Sequence, residues 1–238
     1  MQPLIFNPAL IALHQRRTAP RFYAHDALWQ VMCARLKERL DEIHHGTATR
    51  LLLAPTAAEN LDLQRHPPQE LLGLTPQHYD AIASLGVLHL MNDVVGQLVQ
   101  MRLALTPGGL LLALFPGGAS LQELRASLAY AESELLGGIS PRVAPFLDPR
   151  EAGNLLTRAG FKEPVIDSET ITLTYPDLRA LMHELRGMGQ ANPLTDARKN
   201  FTPRGLFARA ESYYRCEFGD EDGRLPMTVE LLTLTAWA

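Results

Sequence analysis

The chain has 238 residues, 46% of them apolar, which is enough to bury the core of one sizeable α/β domain. Its formal net charge of −4, from 22 basic and 26 acidic residues, gives no electrostatic footprint for nucleic acid or an anionic membrane, so small molecules or proteins are the expected partners. The two cysteines, Cys33 and Cys216, lie far apart and without metal-ligand spacing, which speaks against a disulfide framework and a zinc site and marks both as core thiols of a reducing cytoplasm.

The first residues, Met1 to His14, are apolar in part but lack a basic leader and are broken by Asn7, Pro8 and His14, so no secretory signal is expected. Residues 1–45 are read as a helical arm, and residues 46–238 as the main domain. From Asp26 to Ile43 the apolar positions Leu28, Val31, Met32, Leu36, Leu40 and Ile43 recur at helical spacing after an Asp26 cap. Gly46 ends that helix, with His44 and His45 placed where cations favour the carbonyl dipole. Thr49 to Ala54 is short, apolar and followed by Pro55, the pattern of a strand buried on both faces.

Residues 57–78 lack periodicity and hold Pro67, Pro68 and Pro76, so they are predicted to be loop with at most short elements. Tyr79 to Ser84 is a second buried strand, and Asn92 to Ala104 a helix with Val95, Leu98, Val99 and Leu103 on one face. Thr106-Pro107-Gly108-Gly109 makes a tight turn into a third strand, Leu110 to Phe115, completing a βαβ unit and implying a parallel sheet. The run 109–115 is also the longest apolar one, short of the ~18–20 residues of a membrane helix, so no membrane span is expected.

Gly117-Gly118 opens a helix over Ser120 to Leu135 that Gly137-Gly138 closes. Ser140 to Leu147, with two prolines, is an extended loop; Asp148 caps a helix that begins at Pro149 and stops at Gly160. Val165 to Tyr175 alternates as a strand, Pro176 to Met188 and Thr202 to Phe218 are helical, and Thr228 to Trp237 is a β-branched final strand after a Gly223 turn. Trp237, Tyr213, Tyr214 and Phe218 are expected in the core.

Several of these stretches carry a resemblance. Leu88-His89-Leu90-Met91-Asn92-Asp93, the turn Thr106 to Leu110, Gly117-Gly118 with Leu121 to Arg125, Ser140-Pro141-Arg142-Val143-Ala144-Pro145-Phe146 and Arg158-Ala159-Gly160-Phe161 are similar to class I S-adenosylmethionine-dependent methyltransferases. More specifically, they resemble the group that includes the malonyl-carrier-protein methyltransferase of biotin synthesis and the arginine hydroxylase that acts as a respiratory complex I assembly factor. Phe6-Asn7, Arg16-Arg17, Phe22 and His25-Asp26 resemble that group's amino-terminal arm. The resemblance implies an α/β fold, a truncated class I methyltransferase (Rossmann-like) doubly wound sheet with a C-terminal antiparallel hairpin.

The same resemblance locates a departure. The family's first strand leads into an acidic residue and a glycine-rich turn, because glycine lets the backbone lie against the cofactor's methionine part. This chain instead reads Ala54-Pro55-Thr56-Ala57, and no glycine occurs between Gly46 and Gly73. Pro55 fixes φ and removes a donor. Residues 55–78 are also too few for two βα units, each βαβ taking ~30 residues, so the helix and strand pair there must be shortened or missing, and with them the acid that holds the ribose. Glu59 and Asp62 are substitutes or solvated carboxylates.

No cofactor is therefore expected, S-adenosylmethionine being the one implied if the site still functions, and no metal. No catalytic residue is assigned. His89 stands at the carboxyl end of a strand, as a pocket residue or a turn cap; Asn92 and Asp93 are candidates for the pocket or for capping the next helix. Ser140, Arg142, Phe146 and Arg150 are candidates for ligand or partner contact, with an ion pair the alternative for both arginines. Three functions follow: a non-catalytic member acting in assembly or regulation through a partner, an active methyltransferase or protein arginine hydroxylase, or a subunit or homo-oligomer paired through an open sheet edge.

Overall fold

The computed structural model describes residues 4–43, 49–56, 58, 61, 63–198 and 201–238. In chain order its elements are α1 (Pro8–Thr18), a 3-10 helix (Ala19–Ala24), α2 (Ala27–Ile43), β1 (Arg50–Leu53), β2 (Gln64–His66), β3 (Tyr79–Leu85) and a short 3-10 helix (Leu88–Leu90). There follow α3 (Val94–Ala104), β4 (Leu105–Pro116), α4 (Gln122–Leu136), α5 (Pro149–Arg158), β5 (Lys162–Tyr175), α6 (Leu178–Gly187), α7 (Arg204–Phe218) and β6 (Leu225–Trp237). His44, His45, Gly46, Ala57, Glu59 and Asp62, named above, lie outside the described residues.

The chain forms two compact units. One comprises Asp26–Gly118, Leu147–Glu169 and Leu231–Ala238; the other comprises Met1–His25, Ala119–Phe146 and Thr170–Glu230. The six strands join in the order β2-β1-β3-β4-β6-β5. β1 pairs in parallel with β2 and β3, β3 in parallel with β4, and β6 runs antiparallel to β4. This is the doubly wound sheet that the resemblance implies, with its last strand antiparallel to β4.

Register assigns the faces of the first unit. Leu51, Ile82, Leu111 and Ala236 stand in one row and Leu53, Ser84, Ala113 and Leu234 in the next. These rows, Ser84 apart, join Leu98 and Met101 of α3 and Ala152 and Leu156 of α5 in one core. α2 packs on β3 and β4, with Trp29, Met32 and Leu36 among its buried residues. With apolar layers on both sides, Leu51, Leu52 and Leu53 are almost wholly buried, each stabilising the fold by roughly 1.5–3 kcal/mol. Bidentate Arg35–Glu169 contacts at 2.8 Å and an Arg39–Asp167 pair tie α2 to β5.

Two expectations need correction. The buried stripe of α3 is Gln97, Leu98, Met101 and Ala104, while Leu103 is 54% exposed. Helical spacing from Leu98 admits either direction, and Met101, not Leu103, faces α5 and the sheet. Cys33 is buried as expected, its thiol pushed up to about 11 by burial and then by Asp26, but Cys216 is exposed. The buried face of α7 repeats every fourth residue through Leu206, Ala210 and Tyr214, and Cys216, two residues further, points the other way. In that unit α7 packs on α4, with Tyr213 stacked on Tyr130 at 4.1 Å between ring centroids.

The predicted turn at 106–109 is a bulge within β4. Leu105 pairs with Tyr79 and Leu110 with Ala81, so the residues between loop out, helped by Gly108 at φ +77. The loop before β3 is held by side chains of α3: Gln97 Nε2 donates to the carbonyls of Gln69 and Glu70, and Gln100 Oε1 accepts from Leu72 N–H, all at 2.8 Å.

Candidate functional site

Open parallel sheets bind ligands outside the carboxyl ends of their strands, where the strand order reverses. Here β2 lies on one side of β1 and β3 on the other, so the reversal falls between β1 and β3. The backbone leaving β1 is engaged by β2: Ala54 N–H donates to the His66 carbonyl and Arg65 Nη1 donates to the Ala54 carbonyl, both at 3.3 Å. Ala54 is fully buried, Pro55 and Thr56 half-buried, and Ala58 buried. β2 is only three residues long and ends at His66, followed by Pro67 and Pro68, so no acidic side chain stands there.

On the other side of the reversal β3 exits through Gly86, at φ +63, whose N–H donates to the Leu114 carbonyl at 2.8 Å. A Cβ on Gly86 would meet the Trp29 ring at 3.2 Å, so this glycine serves the packing of α2. His89 follows in the short 3-10 helix and is 3% exposed, between buried Leu88 and Leu90. Ser84, which the sequence reading passed over, is 1% exposed, and its Oγ has no hydrogen-bond partner among the described residues. A serine inside a strand carries no sequence signal; register alone puts its hydroxyl between Leu53 and Ala113.

Asn92 is half-buried, and Asp93 is exposed and caps α3, its Oδ1 accepting from Gly96 N–H at 2.8 Å. The capping alternative is thus the geometry Asp93 adopts. A Cβ on Gly96 would stand against the Asp93 carboxylate, the far end of a flexible side chain that would have to shift to admit it.

Ser140 and Arg142 belong to the second unit and converge on Glu132, a residue sequence reasoning missed. Glu132, on the last turns of α4, has a fully buried side chain. Its carboxylate accepts from Ser140 N–H at 2.6 Å, from Ser140 Oγ at 2.6 and 2.8 Å, and from Arg142 Nε at 2.7 Å. Burial works to raise the Glu132 pKa, but the Ser140 hydroxyl and N–H and the Arg142 guanidinium together outweigh it and hold the carboxyl below its ordinary range.

Arg142 also donates to Thr202 Oγ1 at 3.3 Å, so the ion-pair alternative holds for this arginine. The loop borders a cavity of about 480 Å³ lined by Arg125, Leu128, Ser140, Arg142, Val143 and Pro145, among others. Arg125 donates to the Ser120 and Ala144 carbonyls, and burial lowers its pKa. Phe146 is half-buried at the end of the loop. Arg150, in the sheet unit, is exposed; its backbone N–H donates to the Asp148 cap of α5 at 2.8 Å, and no ion pair involves its guanidinium among the described residues. Among the described residues no group of His, Cys, Asp and Glu is arranged to hold a metal, and no helix is long and apolar enough to cross a membrane.

A sheet of this order, with its reversed strand beside β4 and its switch point beside β1, defines a class I methyltransferase fold. A Bacillus halodurans structure named as a methyltransferase matches it with a TM-score of 0.52 over 86% of this chain and 97% of that one, at 14% identity. In sequence the chain is 36% identical over 169 residues to the human mitochondrial protein named arginine-hydroxylase NDUFAF5, covering 71% of this chain and 49% of that protein. It is 37% identical over 159 residues to the malonyl-[acyl-carrier protein] O-methyltransferase of Xylella fastidiosa, covering 67% of this chain and 52% of that protein. The chain belongs to the class I S-adenosylmethionine-dependent methyltransferase superfamily. It spans about half the length of the curated relatives it matches, and no family model matches it.

Proposed function

We propose that this chain is a methyltransferase-fold protein whose cofactor seat has been lost, and that it acts in the assembly or regulation of other proteins through a partner. The observation that carries this reading is the exit of β1. Where a cofactor would need a bare, glycine-lined backbone, Ala54 is buried and both its polar backbone groups are engaged by Arg65 and His66 of β2. The missing acid at the end of β2 removes the usual holder of ribose hydroxyls and supports the same reading. Partner contact falls to the Ser140–Phe146 loop and to Arg150 with its exposed guanidinium, and the two free thiols suit a cytoplasmic setting.

Thermal unfolding tests the seat. A ligand at a hundred times its Kd stabilises the folded state by about 2.7 kcal/mol. Millimolar S-adenosylmethionine is expected to leave Tm unchanged, and a clear rise would contradict the proposal.

A second reading, an active methyltransferase or protein arginine hydroxylase, rests on the 36% identity to the protein named arginine-hydroxylase NDUFAF5. It predicts that a substrate protein incubated with this chain and S-adenosylmethionine gains the mass of a methylene, or with an oxidant the mass of an oxygen. His89→Ala would abolish that gain.

A further inference from the structure

The unit that contains α1, the first 3-10 helix and α6 holds a cavity of about 250 Å³ with an unusual lining. Arg17 comes from the last turn of α1, Arg21 from the 3-10 helix and Arg186 from the last turn of α6; His14, His25 and His183 complete the lining. No carboxylate lies within ion-pair distance of the three guanidiniums among the described residues. The one acid engaged here, Glu184, is taken by His25 at 2.6 Å. A helix dipole accounts for a basic residue in the last turn of α1 or of α6 taken singly. It does not account for both converging with Arg21 and three imidazoles on one concavity, in a chain whose formal net charge is −4.

The cavity is also closely built. A Cβ on Gly187 would overlap the His25 ring, and one on Gly189, at φ +78, would meet Thr18 Oγ1 at 3.3 Å. The His25 and His183 rings meet edge to face at 5.0 Å. His14 Nδ1 is buried with no hydrogen-bond partner among the described residues. Burial first, then the charge of Arg17, pushes the His14 pKa down against a backbone hydrogen bond at Ala191 that raises it.

We propose that this cavity is a binding site for a phosphoryl group. Guanidiniums present rigid paired donors that match phosphate oxygens, and three of them exceed what one carboxylate would neutralise. A volume below the ~300–1,000 Å³ of drug-sized pockets suits a phosphate or the phosphorylated end of a small molecule. The site is independent of the β1 exit and of the cofactor reading.

The test is isothermal titration of the full chain with inorganic phosphate, and separately with glycerol 3-phosphate, at fixed ionic strength. Tighter binding of the ester identifies the end of a small molecule as the ligand, and equal binding identifies free phosphate. Arg17→Gln and Arg186→Gln alter exposed side chains and are expected to weaken binding about tenfold or more each, the worth of one charge-assisted contact. Arg158→Gln, an equal loss of charge at an exposed position of α5, leaves binding unchanged. Absence of binding at millimolar concentrations of both ligands, or equal weakening by Arg158→Gln, would overturn the proposal.

Discussion

Glu132 anchors the Ser140–Phe146 loop: one carboxylate satisfies a backbone N–H, a hydroxyl and a guanidinium, with its side chain wholly out of water. Breaking a buried pair by neutralising one partner leaves the other charge uncompensated, so Glu132→Gln is expected to cost roughly 3–5 kcal/mol in urea denaturation. The pH dependence has a definite sign. Because the folded pKa lies below the unfolded one, the carboxylate's contribution is complete above the ordinary glutamate value of ~4.3 and is lost as pH falls through the lower, folded pKa. Wild type and variant should therefore converge in stability only below that range, and a difference unchanged by acid would refute the assignment. The loop's own residues were legible as a motif, but Glu132 was not. A glutamate in a helix reads as solvated until tertiary structure shows that three donors have replaced water.

At the scale of elements, α3 shows what periodicity and capping rules deliver and where they stop. The helix and its cap were readable from Asn92 to Ala104, and Asp93→Ala is expected to cost about 1 kcal/mol, the usual loss of an N-cap. Gly96→Ala would gain ~1 kcal/mol in an ordinary exposed helix, but here the added Cβ displaces the capping carboxylate, so chemical denaturation should find a smaller gain. The full gain would show that the carboxylate turns aside at no cost to the cap.

The face of α3 was misjudged because Leu98, Met101 and Leu103 fit overlapping stripes, and a stripe says nothing of where α5 and the sheet lie. Sequence was likewise silent on the glutamines. Gln100 holds Leu72 and Glu70 through its amide, so Gln100→Ala should speed amide hydrogen exchange at Leu72 while leaving β3 protected. Unchanged exchange at Leu72 would show that the loop is held by other contacts.

For the whole molecule, the placement of strands and helices and the parallel pairing of β3 with β4 followed from buried apolar runs and turn residues, signals that report local packing, whereas the doubly wound arrangement was implied only by the family resemblance. The order β2-β1-β3-β4-β6-β5 retains a three-residue β2 beside β1, the shortened piece that the spacing before Tyr79 required. What local pattern does not convey is convergence: Arg21 and Arg186 carry no signal in sequence, and they meet Arg17 of the amino-terminal arm only in the folded unit.

Whether the fold still seats a cofactor is decided at the exit of β1. Isothermal titration of the intact chain with S-adenosylmethionine and with its demethylated product measures that point directly. Engagement of Ala54 by β2 predicts no heat of binding at millimolar ligand, and a micromolar Kd for either compound would contradict it.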